Sequence, residues 1–267
     1  MSTVVFLGGG RITSAIVAGL RLGKTRHRLI VLDRDPRKLR GLKESHAVAV
    51  EPDLNRAVKQ ADLLIVAVRP SSVGELLRAL TRAIGDVNRR VLAVSLAAGV
   101  PLRVLQKLTG PPLQWARAMP SPVCRSGRGL TAVTFPRNLP RADRKRVRDL
   151  FASFGQVVEI PESKFDAFTV TYSCSHGYHA LATLARVAQS AGLDRNTALL
   201  ASAHALADGI IAWRLGKHAL RSLLEEAATP GGIAAATTTA MDAAGYGRAV
   251  RQGIAAGMRL ARANSGK

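Results

Sequence analysis

Hydrophobic positions in the first 161 residues gather into short, nearly unbroken apolar runs separated by stretches with helical spacing. The runs at 4–7, 29–32, 47–50, 63–68, 91–95, 115–119, 130–134 and 157–160 read as buried strands. Apolar positions three and four apart predict helices over 12–22, 36–45, 54–59, 72–84 and 102–108; Val73, Leu76, Leu77 and Leu80 show the spacing plainly. Apolar strands that alternate with helices predict a mostly parallel sheet covered on both faces, a doubly wound fold.

The pattern changes near Pro161. No strand-like run follows. Alanine, leucine and helical periods dominate, broken at Gly192, Gly216, Pro230 to Gly232 and Gly245 to Gly247. Helices are predicted over 163–190, 195–214, 219–227, 233–243 and 248–263. Several are close to apolar on every side, which points to burial against helices of a second subunit. The predicted organisation is an α/β Rossmann-like domain over 1–161 and an all-α dimerisation domain over 162–267.

The chemistry begins at the first strand. Gly8, Gly9 and Gly10 follow it directly, and a helix opens at Arg11. A strand, a glycine turn and a helix in that order form the crevice where a dinucleotide diphosphate rests on a helix N-terminus. Gly8-x-Gly10-x-x-Thr13 fits the fingerprint: Gly8 allows the tight turn, and Gly10 lets the backbone approach the ligand. Thr13 exceeds the usual small residue, so the helix is expected to pack slightly further off. Gly8, Gly10, Arg11 and Ile12 are the expected diphosphate contacts. Asp33 closes the second strand, 23 residues after Gly10 (33 − 10). A carboxylate there accepts from ribose hydroxyls and repels a 2′-phosphate, which favours NADH. Arg34, Arg37 and Lys38 could hold a 2′-phosphate instead. The two signals conflict, so the expected cofactor is NADPH or NADH, leaning towards NADH.

Charge and composition add a competing thought. The 267-residue chain carries a net charge of +21, which invites a nucleic-acid partner. Aromatic residues make up only 4%, and none interleaves with the basic clusters, so stacking platforms are missing. The charge, densest at residues 140–148, reads as a solvated basic surface. Cys124 and Cys174 make no disulfide framework. His176 and His179 lack a neighbouring carboxylate or thiol, so no metal site is expected. No run reaches the ~18 consecutive apolar residues of a membrane span. The N-terminus reads as a first strand rather than a signal peptide, and the chain is expected to be cytoplasmic.

Further segments match one family in order. Val66-Ala67-Val68-Arg69-Pro70 resembles the A-V-K-P loop of Δ1-pyrroline-5-carboxylate reductases, and Ser95-Leu96-Ala97-Ala98-Gly99-Val100 resembles their S-I-A-A-G-I. Arg117-Ala118-Met119-Pro120-Ser121 is similar to R-x-M-P-N, and Gly127-Arg128-Gly129-Leu130-Thr131 to G-x-G-M-T. Thr229-Pro230-Gly231-Gly232 resembles [ST]-P-G-G. The resemblance implies NAD(P)H-dependent reduction of a cyclic imine carboxylate to proline. It also implies a homodimer through the C-terminal helices, often within a larger ring. By position, Ala67, Val68, Arg69 and Pro70 would line the cofactor's ribose and nicotinamide side. Thr229, Gly231 and Gly232, with Tyr178, would hold the substrate.

The departures from the family fall at the substrate. Its S-G-S-G-P-A-Y segment reads here Tyr172-Ser173-Cys174-Ser175-His176-Gly177-Tyr178. The family threonine four positions after the Pro of P-G-G is Ala234, whose methyl group cannot donate a proton. Tyr172 and His176, read as sharing one helix face with His179, are the candidate proton donors. Two alternatives accompany the proline assignment: an imine reductase with another substrate, and a catalytically silent cofactor-binding sensor or scaffold.

Overall fold

In a computed structural model the described residues are 2–85 and 89–264. Strands β1 (Thr3–Leu7), β2 (Arg28–Leu32), β3 (Ala49–Val50), β4 (Leu63–Val66), β5 (Val91–Ser95), β6 (Leu113–Met119), β7 (Leu130–Thr134) and β8 (Gln156–Glu159) form one sheet. Its order is β3-β2-β1-β4-β5-β6-β7-β8. Neighbours from β3 to β6 are parallel; β7 runs antiparallel to β6, and β8 parallel to β7. The reversal has a simple cause. Between β6 and β7 lies a short link with a 3-10 turn at Pro122–Ser126, whereas a parallel crossover needs a dozen residues or more and usually a helix.

Alternation along each strand sends side chains to two separate cores. From β1, Val4 and Phe6 join Ile16, Leu20, Phe151 and Phe154 on one face. Val5 and Leu7 join Leu77, Leu80 and Trp115 on the other. The covering helices are α1 (Arg11–Leu22), α2 (Pro36–His46), α3 (Leu54–Gln60), α4 (Pro70–Ile84), α5 (Leu102–Thr109) and α6 (Arg141–Ala152).

Helix α6 corrects the reading of residues 140–148 as merely a solvated basic surface. It buries Val147, Leu150 and Phe151, an i, i+3, i+4 set that the arginines mask. Much of its charge is also matched locally. Lys145 pairs with Asp149 at 2.6 Å, Arg148 with Glu159 at 2.6 Å and Arg146 with Asp143 at 3.5 Å. Arg144 donates to the carbonyls of Pro136, Arg137 and Leu139.

The predicted helix over 163–190 is two helices, α7 (Glu162–Thr171) and α8 (Cys174–Ser190). Tyr172 ends the first, and Ser173 caps the second by accepting from the Ser175 amide. The chain divides into two compact units. One runs to Tyr172 and includes the chain from Gly257 onward; the other is Ser173–Ala256. Helix α7 thus belongs to the first unit, together with the end of α12 (Tyr246–Asn264).

The second unit comprises α8, α9 (Arg195–Leu215), α10 (Leu220–Ala227), α11 (Ile233–Ala243) and the start of α12. Among its described residues only Ala185, Ala198 and Ser202 are buried. Leu200, Ile210, Ile211, Trp213 and Leu215 of α9 are exposed. The expectation of no membrane-length apolar segment needs a correction here. Helix α9 is long and apolar enough to cross a membrane by length and composition. Counting consecutive apolar residues missed it, because Ser202, His204 and Asp208 interrupt the run without breaking the helix.

Candidate cofactor and substrate site

The chain leaves β1 towards β2 on one side and returns at β4 on the other, so the sheet order reverses between β1 and β4. Ligands of open α/β sheets bind at the carboxyl ends of strands flanking such a point. Gly8 sits there with φ +113°, and a Cβ on it would lie 2.6 Å from the Ala67 carbonyl oxygen. Its amide donates to the Leu32 carbonyl at 2.8 Å, and the Ala67 amide donates to the Leu7 carbonyl at 2.9 Å. The turn is therefore clamped between β2 and the end of β4.

Gly10 is different. It is the N-cap of α1, no side chain caps that end, and nothing lies within 4 Å of where its Cβ would be. A bare helix N-terminus beside open space suits a diphosphate. Arg11 and Ile12 occupy the first turn. Thr13 is buried, and its hydroxyl donates to the Gly8 carbonyl at 2.5 Å, which ties the turn to the helix. Close packing of α1 falls instead to Gly19, whose Cβ would meet the Cys124 carbonyl oxygen at 2.5 Å and Phe154 at 2.9 Å.

Asp33 lies just past β2, its carboxylate turned towards the glycine turn. Oδ2 accepts from the Gly9 amide at 2.6 Å and Oδ1 from the Asp35 amide at 2.8 Å. Lys38 Nζ stands 3.6 Å from Oδ1. Burial pushes the Asp33 carboxyl up, but the Asp35 and Gly9 amides and the Lys38 charge outweigh it and hold the group below its ordinary value. Arg34 points to Glu75 at 3.3 Å, both side chains well exposed. Asp35, which sequence reading left out of the site, caps α2 by accepting from the Arg37 amide at 2.9 Å. The signal was present: Asp followed by Pro marks an N-cap and first helical position.

Ala67, Val68, Arg69 and Pro70 follow β4, with Arg69 as the N-cap of α4. The loop at residues 96–101 follows β5 at the same edge of the sheet. Gly99 has φ +77°, and a side chain there would collide with the Ala261 carbonyl of α12. Asn264 donates to the Ala98 carbonyl at 3.3 Å.

Tyr172 also reaches this edge. Its hydroxyl accepts from the Leu130 amide at 2.6 Å at the start of β7, and its ring packs against Phe168. The shared helix face expected for Tyr172, His176 and His179 is not formed, because the helix breaks between Tyr172 and Cys174. His176 and His179 lie on α8, with His179 Nδ1 3.2 Å from the Thr183 hydroxyl. Tyr178, on the same helix, is exposed. Cys124 is buried, and desolvation raises its thiol pKa to about 11. Among the described residues, no three His, Cys, Asp or Glu side chains gather as a metal site needs.

In the second unit, the Gly232 amide donates to the Thr229 carbonyl at 2.9 Å, and Gly231 takes φ +80°. This turn delivers the chain to α11 with Gly232 as an N-cap that has no side-chain bond. Ala234 lies in the first turn of α11, and Ile233 beside it is 89% exposed, an unsupported apolar side chain next to a backbone suited to an anion.

Comparison with known proteins agrees with this arrangement. Residues 3–99 match the family described as NADP oxidoreductase, coenzyme F420-dependent. Residues 162–264 match the pyrroline-5-carboxylate reductase dimerisation family. A pyrroline-5-carboxylate reductase of Glycine max is 30% identical over 237 residues, covering 86% of this chain and 84% of the relative. One from Synechocystis sp. is 29% identical over 258 residues, covering 95% and 94%. The crystal structure of Plasmodium falciparum pyrroline carboxylate reductase with NADP bound superposes with a TM-score of 0.87 at 19% identity, covering 99% of this chain and 98% of that one.

A dinucleotide crevice followed in the chain by a helical dimerisation region defines an NAD(P)-dependent oxidoreductase of two parts. Within that class, the chain belongs to the pyrroline-5-carboxylate reductase family.

Proposed function

We propose that this protein reduces Δ1-pyrroline-5-carboxylate to L-proline with NAD(P)H, a step of proline biosynthesis, as a homodimer in the cytoplasm. The observation that carries this reading is a pair of glycine-led, uncapped helix N-termini. Gly10 opens α1 at the sheet's switch point, and Gly232 opens α11 after the Thr229-Pro230-Gly231-Gly232 turn. One suits the diphosphate of a dinucleotide and the other the carboxylate of a small substrate. Both cysteines are free thiols, as a reducing compartment keeps them. Residues 1–161 would serve the cofactor and 162–267 the substrate and the partner subunit.

When bound, the nicotinamide supplies the hydride. The chain's part is to place the acceptor and manage its proton. Residues 67–70 line the cofactor side, and Thr229, Gly231, Gly232 and Tyr178 hold the substrate. Ala234 offers no hydroxyl to the imine nitrogen, which leaves Tyr172 and His176 as proton donors. The test is oxidation of NADH or NADPH by purified protein supplied with pyrroline-5-carboxylate, with proline as the identified product. No oxidation of either cofactor under conditions where a family enzyme turns over would remove the proposal.

A further inference from the structure

Two successive helices in the first unit treat anions in opposite ways. The N-terminus of α1 is bare and open at Gly10. The N-terminus of α2, which follows the strand whose end meets the adenosine ribose in this fold, is closed. The Asp35 carboxylate already accepts from the Arg37 amide there, and Pro36 at the first helical position has no N–H to offer. A phosphate seeking the second helix N-terminus would meet a carboxylate in its place.

The cations nearby are engaged in a similar way. Lys38 lies 3.6 Å from Asp33 Oδ1, and Arg34 3.3 Å from Glu75. Asp33 itself cannot swing aside without giving up the Gly9 amide at 2.6 Å and the Asp35 amide at 2.8 Å. Those two bonds lock its charge against the turn that would receive the diphosphate. The Arg37 side chain is exposed, and its backbone amide is the one that the Asp35 carboxylate holds at 2.9 Å.

We infer that Asp33 and Asp35 select NADH over NADPH: the fixed Asp33 carboxylate receives the adenosine ribose hydroxyls, and Asp35 denies a 2′-phosphate the N-terminus of α2. This rests on the reading of the glycine turn as a dinucleotide site, and it concerns which dinucleotide that site takes. A 2′-phosphate carries nearly two negative charges, so its repulsion by one fixed carboxylate through partly solvated surroundings corresponds to about tenfold or more in affinity.

The test is direct titration of the whole protein with NADH and with NADPH by nicotinamide fluorescence, without imine substrate. Wild type should bind NADH at least about tenfold more tightly. Asp33→Asn and Asp35→Asn remove one charge each and keep an acceptor oxygen. Each should narrow the gap by tightening NADPH, and Asp33→Asn should also weaken NADH. Thermal unfolding shows whether each variant is folded; the wild-type ratio decides the matter even if Asp33→Asn is not. Equal affinities, or tighter NADPH, in wild type overturn the inference while leaving the reductase reading intact. Failure to bind either dinucleotide overturns both.

Discussion

Arg117 of β6 places Nη1 2.7 Å from Glu162 Oε1, at the first turn of α7. The guanidinium is buried, also approaches Asp166 at 3.5 Å, and lies 4.3 Å above the Phe165 ring. Glu162 Oε1 accepts in addition from the Leu102 amide at 3.0 Å. This cluster fastens α7, and with it Tyr172, to the carboxyl edge of the sheet. Arg117→Met should leave two carboxylates beside an apolar side chain and cost about 3 kcal/mol, because breaking a buried pair strands its partner. Denaturant unfolding of the variant measures it. A loss below about 0.5 kcal/mol, the scale of an ordinary surface change, would show the pair to be incidental.

The glycine turn offers a cleaner pair of substitutions. Gly8→Ala puts a methyl group 2.6 Å from the Ala67 carbonyl oxygen at φ +113°, and should destabilise by about 1–3 kcal/mol. Gly10→Ala meets nothing within 4 Å and keeps an ordinary φ of −76°. It should change stability by less than about 1 kcal/mol yet weaken cofactor binding, since the added methyl group occupies the space a diphosphate needs. Thermal melts beside dinucleotide titrations separate the two. Equal stability losses would contradict the assignment of Gly8 to the fold and Gly10 to the ligand.

These residues also show what the sequence could reveal and why some of it stayed hidden. Glycines at a strand end, apolar runs and P-G-G are local signals, and the sheet and cofactor crevice were legible from them. Three matters were not legible in this way. Helix α6 was masked because five arginines or lysines surround a three-residue apolar stripe. The break after Thr171 carries no glycine or proline; it arises where Tyr172 turns to accept from Leu130, a residue 42 positions away. The Thr13 hydroxyl looked too large for the fingerprint, but its partner is a carbonyl on the same turn, which makes size secondary to hydrogen bonding.

Tyr172 has two roles to disentangle. Its oxygen accepts from the Leu130 amide, and its own proton can still be donated. Tyr172→Phe should cost about 1 kcal/mol through the unsatisfied Leu130 amide. If Tyr172 protonates the imine nitrogen, kcat should also fall by about a hundredfold or more. A fall of less than about tenfold in kcat, with the same stability loss, assigns Tyr172 to packing and leaves His176 as the donor; a general acid contributes more than that.

Asp33 links the cofactor crevice to pH. Its carboxyl is held below the ordinary 3.8, so at acid pH the unfolded chain binds this proton more readily than the folded one. Stability therefore rises with pH over that range. The contribution of Asp33 is complete above its unfolded value and is lost as pH falls through the folded one. Asp33→Asn should be less stable than wild type at neutral pH, and the difference should shrink below about pH 4. Melting curves between neutral pH and pH 3 would show it. A difference that stays constant across that range would mean the two amides and Lys38 do not hold the charge as the geometry indicates.

Helix α9 carries the prediction about assembly. It has 21 residues and buries only Ala198 and Ser202. Apolar side chains at Leu200, Ile210, Ile211, Trp213 and Leu215 stand exposed, and such a surface does not persist in water uncovered. The region matches a dimerisation family, so a second copy of the chain is the expected cover. Sedimentation should give a dimer or a multiple of it. Ile211→Asp would place a charge in that covered surface, which should shift the mass towards monomer and lower the melting temperature. Vesicle flotation supplies the contrast, because α9 is also long and apolar enough to span a bilayer. Protein that floats with vesicles, together with an Ile211→Asp variant of unchanged mass in solution, would assign the apolar surface to lipid rather than to a partner subunit.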